Sequence, residues 1–130
     1  MPEARFQKGK QYSRSEVADI IGLPANRRHG GNWSTGYDTY DDEAFIFCNV
    51  GDAGRTGHDY ANEWVGDQLI WYGKTGTHRA QPLIRKLIGG DMPVHVFWRS
   101  SNRDAFTYAG TGTAAGVEDT IPVRVRWHFA

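Results

Sequence analysis

Ile121-Pro122-Val123-Arg124-Val125-Arg126-Trp127-His128-Phe129 alternates apolar Val123, Val125, Trp127 and Phe129 with polar Arg124, Arg126 and His128. A period of two belongs to a strand with one face in a core and the other in water. The 130-residue chain repeats strand signals on working outward from it. Pro93-Val94-His95-Val96-Phe97-Trp98-Arg99 and Ala105-Phe106-Thr107-Tyr108-Ala109-Gly110 read as a hairpin across the polar turn Ser100-Ser101-Asn102-Arg103-Asp104, with Gly110-Thr111-Gly112-Thr113 ending it. Gln68-Leu69-Ile70-Trp71-Tyr72-Gly73 is a further strand. Residues 44–50, a near-continuous apolar run bounded by acids and Gly51, read as a central one.

Helical spacing is confined to two short stretches. Ser13 or Ser15 can cap a helix through Val17, Ala18, Ile20 and Ile21, ended by Gly22 and Pro24. Pro82 opens a second, with Leu83, Ile84, Leu87 and Ile88 on one face, Arg85 and Lys86 outside, and Gly89-Gly90 as its cap. Residues 25–43 and 51–67 hold neither period and read as long loops, which in a compact domain are usually functional. Five or so strands, one or two short helices and 16 glycines describe an α+β fold. We expect a single domain over 1–130, built round a strongly curved sheet or open barrel.

Fifteen basic and fifteen acidic residues cancel, which argues against non-specific coating of nucleic acid. The charges are segregated, however. Residues 1–28 carry six positive and three negative, 29–73 one and eight, 74–103 six and one, and 104–130 two and three. A neutral protein of this kind presents a basic face if its two positive blocks fold side by side. The one cysteine, Cys48, lies inside an apolar run and reads as a buried small hydrophobe suited to a reducing cytosol. No apolar stretch approaches the ~18 residues of a membrane span, and the N-terminus has no apolar signal region. The expected location is cytoplasmic.

Enzymatic constellations are missing from the sequence. The five histidines, at 29, 58, 78, 95 and 128, show no i, i+4 pair, and no Cys-x-x-Cys, P-loop, dinucleotide fingerprint or Gly-x-Ser-x-Gly occurs. No catalytic residue, metal or cofactor is expected, and Asp41-Asp42-Glu43 reads as a solvated acidic turn. The distinctive feature is the set of large aromatics Trp33, Tyr37, Tyr40, Tyr60, Trp64, Trp71 and Tyr72. Those in loops either fold back as a lid on the core or stack on a planar polar ligand such as a nucleobase, whose edge neighbouring carboxylates and amides would read. Arg27-Arg28-His29-Gly30-Gly31-Asn32 has the arginines and glycines that suit a phosphate backbone; a surface loop is the alternative. Arg27, Arg28 and Asn32, with Lys74 and Arg79 of the second basic block, are the candidate phosphate contacts.

Residues 57–73, Gly-His-Asp-Tyr-Ala-Asn-Glu-Trp-Val-Gly-Asp-Gln-Leu-Ile-Trp-Tyr-Gly, resemble the pocket segment of SRA (SET- and RING-associated) domains. The whole chain is more similar to the divergent SRA-like domains found beside HNH nuclease domains in bacterial modification-dependent restriction proteins. The opening Phe-x-x-Gly-x-x-Tyr-x-Arg, here Phe6 to Arg14, and the strand Phe97-Trp98-Arg99 also recur there. The wider PUA superfamily shares the barrel. The resemblance implies a non-enzymatic reader of double-stranded DNA carrying a modified base, foremost 5-methylcytosine, which flips the base out of the helix. Its partners would be that DNA and a fused or associated nuclease, and the domain would be a monomer.

By the same resemblance Tyr60 would cover one face of the base and Trp71 or Tyr72 the other. Asn62 or Glu63 would accept from the exocyclic amine. Trp33, Tyr37 and Trp64 complete the candidate pocket. This sequence has Asn62 where the family has an acid, and one residue fewer before Gly73. Extrusion costs a few kcal/mol, which stacking at roughly 1–3 kcal/mol per base can offset. A recess for one methyl adds only about 1 kcal/mol, so discrimination should be modest. The competing expectation is an RNA- or nucleotide-binding PUA-like module.

Overall fold

The computed structural model describes residues 5–29, 31, 33, 36–50, 62–73, 77, 80–100 and 104–129. Along the chain these form β1 (Gln11–Tyr12), α1 (Arg14–Ile21), α2 (Ala25–Arg28), β2 (Tyr37–Tyr40), β3 (Glu43–Asn49), β4 (Glu63–Val65) and β5 (Gln68–Tyr72). After them come α3 (Pro82–Ile88), β6 (Val94–Arg99), β7 (Phe106–Glu118) and β8 (Arg124–Phe129). The strands lie in the order β2-β3-β6-β7-β8-β5-β4, with β1 added beside β7. Every pairing is antiparallel except β3 with β6. The α+β curved sheet is the fold expected, with eight strands and three short helices among the described residues rather than five or so and one or two.

The extra elements are too short to show a period. Residues 25–43 are not one loop: they hold α2 and β2, and β2 returns as β3 through Asp41-Asp42, both at positive φ (52° and 61°). That is the geometry of a two-residue hairpin turn, which aspartate tolerates. The stretch 51–67 likewise contains β4, joined to β5 by Gly66 (φ 63°) and Asp67. Gly110-Thr111-Gly112-Thr113 does not end a hairpin. Strand β7 runs on through it to Glu118, pairing first with β6 and then with β8. Register shifts between Val96 and Phe97 and between Ala114 and Gly116 accompany this switch, and irregularities of that kind bend a strand. Gly112 is needed there, because a Cβ would lie 3.1 Å from the Trp127 ring.

Curvature gives the sheet an inside and an outside. Inside, Ala44, Ile46, Cys48, Val94, Val96, Leu69, Trp71, Val125 and Trp127 pack beneath Ile84 and Leu87 of α3. Burial pushes the Cys48 thiol up to about 12, so the cysteine is an inert packing group. Outside, on the β3–β6–β7 half, Phe45, Phe47, Phe97, Phe106 and Tyr108 are covered by Val17 and Ala18 of α1 and by Phe6, Tyr12 and Trp33. Strand β3 is therefore buried on both faces, which explains its unbroken apolar run. Of the two candidate serines, Ser13 caps α1: its Oγ accepts from the Glu16 N–H and the Glu16 carboxylate accepts from the Ser13 N–H, each at 3.0 Å.

A polar chain seals this outer layer. The Tyr108 hydroxyl lies 2.8 Å from His95 Nδ1, and His95 Nε2 lies 2.8 Å from Glu43 Oε1, which Arg5 also engages. Burial lowers the His95 pKa against the opposing pull of Glu43. A neutral ring donates from Nε2 to the carboxylate and accepts at Nδ1 from the tyrosine.

Candidate functional site

At one edge the curled sheet almost meets itself. Val50, just beyond β3, bridges in parallel to Asn62, just before β4. Asn62 Nδ2 donates to the Asn49 carbonyl and Asn62 Oδ1 accepts from the Tyr72 N–H, each at 2.9 Å. This side chain is thus a clasp across the seam, with both ends occupied by backbone, rather than an edge reader awaiting a ligand. Val65 pairs with Gln68, Trp64 with Leu69 and Glu63 with Ile70 in the β4–β5 hairpin. Since neighbours on a strand face opposite ways, Trp64 and Trp71 share the inner face and Glu63 and Tyr72 the outer one.

The register resolves which aromatic of the Trp71-Tyr72 pair is core and which lies on the outer face. Trp71 is 2% exposed and packs edge-on to Tyr37 at 5.2 Å and against Trp127 at 6.2 Å. Tyr37 is itself buried, and Trp33 is 1% exposed between Phe45 and Phe47 under the outer layer. These three rings are core, a correction to their expected place in a pocket wall. Apolar rings adjoining a two-sided sheet gain more by burial than by facing water. Trp64 is half-buried, with Trp98 at 5.7 Å and Phe129 at 5.5 Å, and its indole N–H is buried with no acceptor among the described residues.

Tyr72 is half-buried on the outer face, opposite Arg124, while Ile70 is opposite Arg126 and Gln68 opposite His128. Ile70, 4% exposed, supplies an apolar floor beside them. Arg124 is held above its ordinary pKa, chiefly by Glu118 at 2.6 Å. The polar alternation of β8 thus sets Arg124 beside Tyr72 and Arg126 across Ile70 from the exposed Glu63, all on the outer face. Gly73 follows for a steric reason, since a Cβ there would come within 2.4 Å of Thr77 Oγ1.

The expected phosphate contacts fare differently. Arg27 pairs with Asp38 at 3.2 Å and donates to the Thr39 carbonyl, pinning α2 to β2. Arg28 donates to the Leu23 and Ala18 carbonyls and pairs with Asp19, closing the C-terminal end of α1. Both guanidiniums therefore have internal partners. Tyr60, Asn32, Lys74 and Arg79 lie outside the described residues. Arg14 and Arg99 stand in the two motifs Phe6 to Arg14 and Phe97-Trp98-Arg99, with no local signal of a role. Both lie against Phe106, their Cζ atoms 4.9 and 4.2 Å from its ring centre.

A separate cleft of about 1030 Å³ lies beside α3, with Arg85, Lys86, Asp91 and Asp119 in its lining. Its mixed charge does not single out a polyanion. Among the described residues no three His, Cys, Asp or Glu gather as metal ligands. No helix among them is long and apolar enough to cross a membrane.

A curved, unclosed sheet with short helices on its flanks defines an SRA/PUA-like fold, and solved structures agree. The SRA domain of SUVH5 in complex with hemi-methylated CG DNA is similar at TM-score 0.63 and 15% identity, over 99% of this chain and 90% of that one. The same domain with methylated CHH DNA gives 0.60 and 16%, over 96% and 89%. The chain belongs to the family described as a domain of unknown function (DUF3427), whose profile matches residues 6–125. No curated protein matches it.

Proposed function

We propose that this domain binds double-stranded DNA carrying a modified base, foremost 5-methylcytosine, and receives that base, flipped out of the helix, at the outer face of the β4–β5 hairpin. One observation carries the reading: the register that sets Tyr72 and Glu63 on one face, with Arg124 of β8 opposite Tyr72 and Arg126 across Ile70 from Glu63. Tyr72 offers a ring for stacking, Glu63 a carboxylate for an exocyclic amine, and β8 positive charge for the backbone. Tyr60 supplies the opposing ring. The resemblance to SUVH5 SRA domains crystallised with methylated DNA supports the same class of partner.

The domain acts as a reader, and any strand cleavage belongs to a fused or associated nuclease. Competition tests the reading: labelled duplex with one 5-methylcytosine is challenged with unlabelled modified duplex and with single-stranded RNA of the same sequence. Displacement by the duplex alone is expected. Equal displacement by RNA would transfer the site to an RNA- or nucleotide-binding module. Specific cleavage by this chain alone with Mg²⁺ or Mn²⁺ would contradict the reader assignment.

A further inference from the structure

We infer that Arg14 and Arg99, stacked about Phe106, form a two-guanidinium clamp for a phosphodiester of the duplex, close to the extruded base. This rests on the DNA-binding reading above and adds to it a contact on the outer surface.

Arg14 opens α1 and Arg99 closes β6. The pairing of Tyr12 with Phe106 and of Trp98 with Thr107 brings them together. Arg14 also lies over Phe47 at 5.4 Å. Burial, and after it the charge of Arg99, pulls the Arg14 guanidinium below its ordinary pKa. Among the described residues Arg14 has no carboxylate partner, and its Nε is buried without an acceptor. Arg27 and Arg28, by contrast, each have one. Two like charges packed against one ring repel, and an anion that reaches both relieves that repulsion. Planar guanidinium forks match phosphate oxygens in geometry as well as charge.

The clamp is fixed relative to the candidate base site. Arg99 Nε donates to Asn49 Oδ1 at 2.7 Å and Nη1 to the Asp104 carbonyl at 3.2 Å. The Asn49 carbonyl accepts from Asn62, which in turn holds the Tyr72 N–H. Alternation puts Arg99, Asn49, Glu63 and Tyr72 on the outer surface of successive strands across the seam. Three strand spacings separate Arg99 from Tyr72, roughly 14 Å at about 4.8 Å each, so one short stretch of DNA backbone can touch both.

The test measures affinity of the full chain, R14Q and R99Q for matched duplexes with and without one 5-methylcytosine, from about 50 to 200 mM salt. Each variant should weaken both duplexes alike, by about tenfold, and reduce the slope of log affinity against log salt by about 0.9. Unchanged affinity and slope in folded variants would overturn the clamp. If R14Q does not fold, R14K, which keeps the charge and loses the fork, carries the test: weaker binding to both duplexes supports the clamp and unchanged binding removes it. Inorganic phosphate that stabilises the full chain but not R99Q, with duplex affinity unaltered in R99Q, would reassign the pair to a free anion and also overturn it. The two readings fail separately. A full chain that shows no preference for the mark, while R14Q still loses slope, sinks base reading alone; a preference with the R14Q slope intact sinks the clamp alone. No binding at low salt ends both.

Discussion

Adjacent residues in the pocket segment have different fates. Trp71 and Tyr72 are neighbours in sequence, yet one completes the inner core and the other lies beside Arg124 on the outer face. Truncating them should therefore fail in different ways. Tyr72→Ala is expected to leave the fold intact and abolish the preference for a modified duplex, a loss on the order of 1–3 kcal/mol in binding, with the salt slope unchanged. Trp71→Ala should instead cost about 3–5 kcal/mol of stability, read as a lower urea midpoint. Asn62 belongs with stability as well: Asn62→Ala frees the Asn49 carbonyl and the Tyr72 N–H together. A loss of about 1–3 kcal/mol is expected from stranding such groups, and a midpoint equal to the parent's would show that the clasp contributes nothing. An asparagine in a pocket motif looks like an edge reader in sequence because its type is legible and its partners, thirteen residues back and ten ahead, are not.

Elements with a complete local signal were legible, whereas those defined by distant partners were not. Ser13, Glu16 and Gly22 delimit α1, Pro82 opens α3, and the alternation of residues 121–129 marks β8. Ser13→Ala should destabilise by about 1 kcal/mol through loss of the cap. Arg28, a candidate phosphate contact in the sequence, holds the carbonyls at the end of α1, so Arg28→Ala should lower stability. A drop in affinity with stability unchanged would return Arg28 to the phosphate contacts. Strands β2 and β4 have only four and three residues, too few to display a period against loop-like neighbours. Their existence depends on hairpin turns and on partners that no local pattern announces. For the same reason the long β7 reads as a shorter strand, its glycines resembling a turn when Gly112 is clearance for Trp127 and Phe129. The Arg14–Arg99 pair is beyond sequence reading altogether, being made by strand pairing.

For the whole molecule, the sheet must curl far enough for Val50 to reach Asn62, and the outer layer anchored on Phe6, Tyr12 and α1 holds one half of that curve. The His95–Glu43–Tyr108 chain within it makes stability depend on pH. Burial depresses the His95 pKa below its ordinary 6.5 despite Glu43, so below that value the unfolded chain binds more protons and acid destabilises the fold. Glu43 adds to this lower down: burial alone would raise its carboxyl, but hydrogen bonds from His95 and Arg5 hold it below 4.5. The unfolding free energy should thus fall as pH drops through the range below 6.5, and His95→Gln should flatten the upper part of that fall in urea titrations. The central claim, that the outer face of the β4–β5 hairpin reads a modified base, is met most directly by the ratio of dissociation constants for two duplexes differing in a single cytosine methyl. About 1 kcal/mol from the methyl, roughly a fivefold tighter complex with the methylated duplex, is the expected result. A ratio of one from a folded protein that binds both duplexes would contradict it.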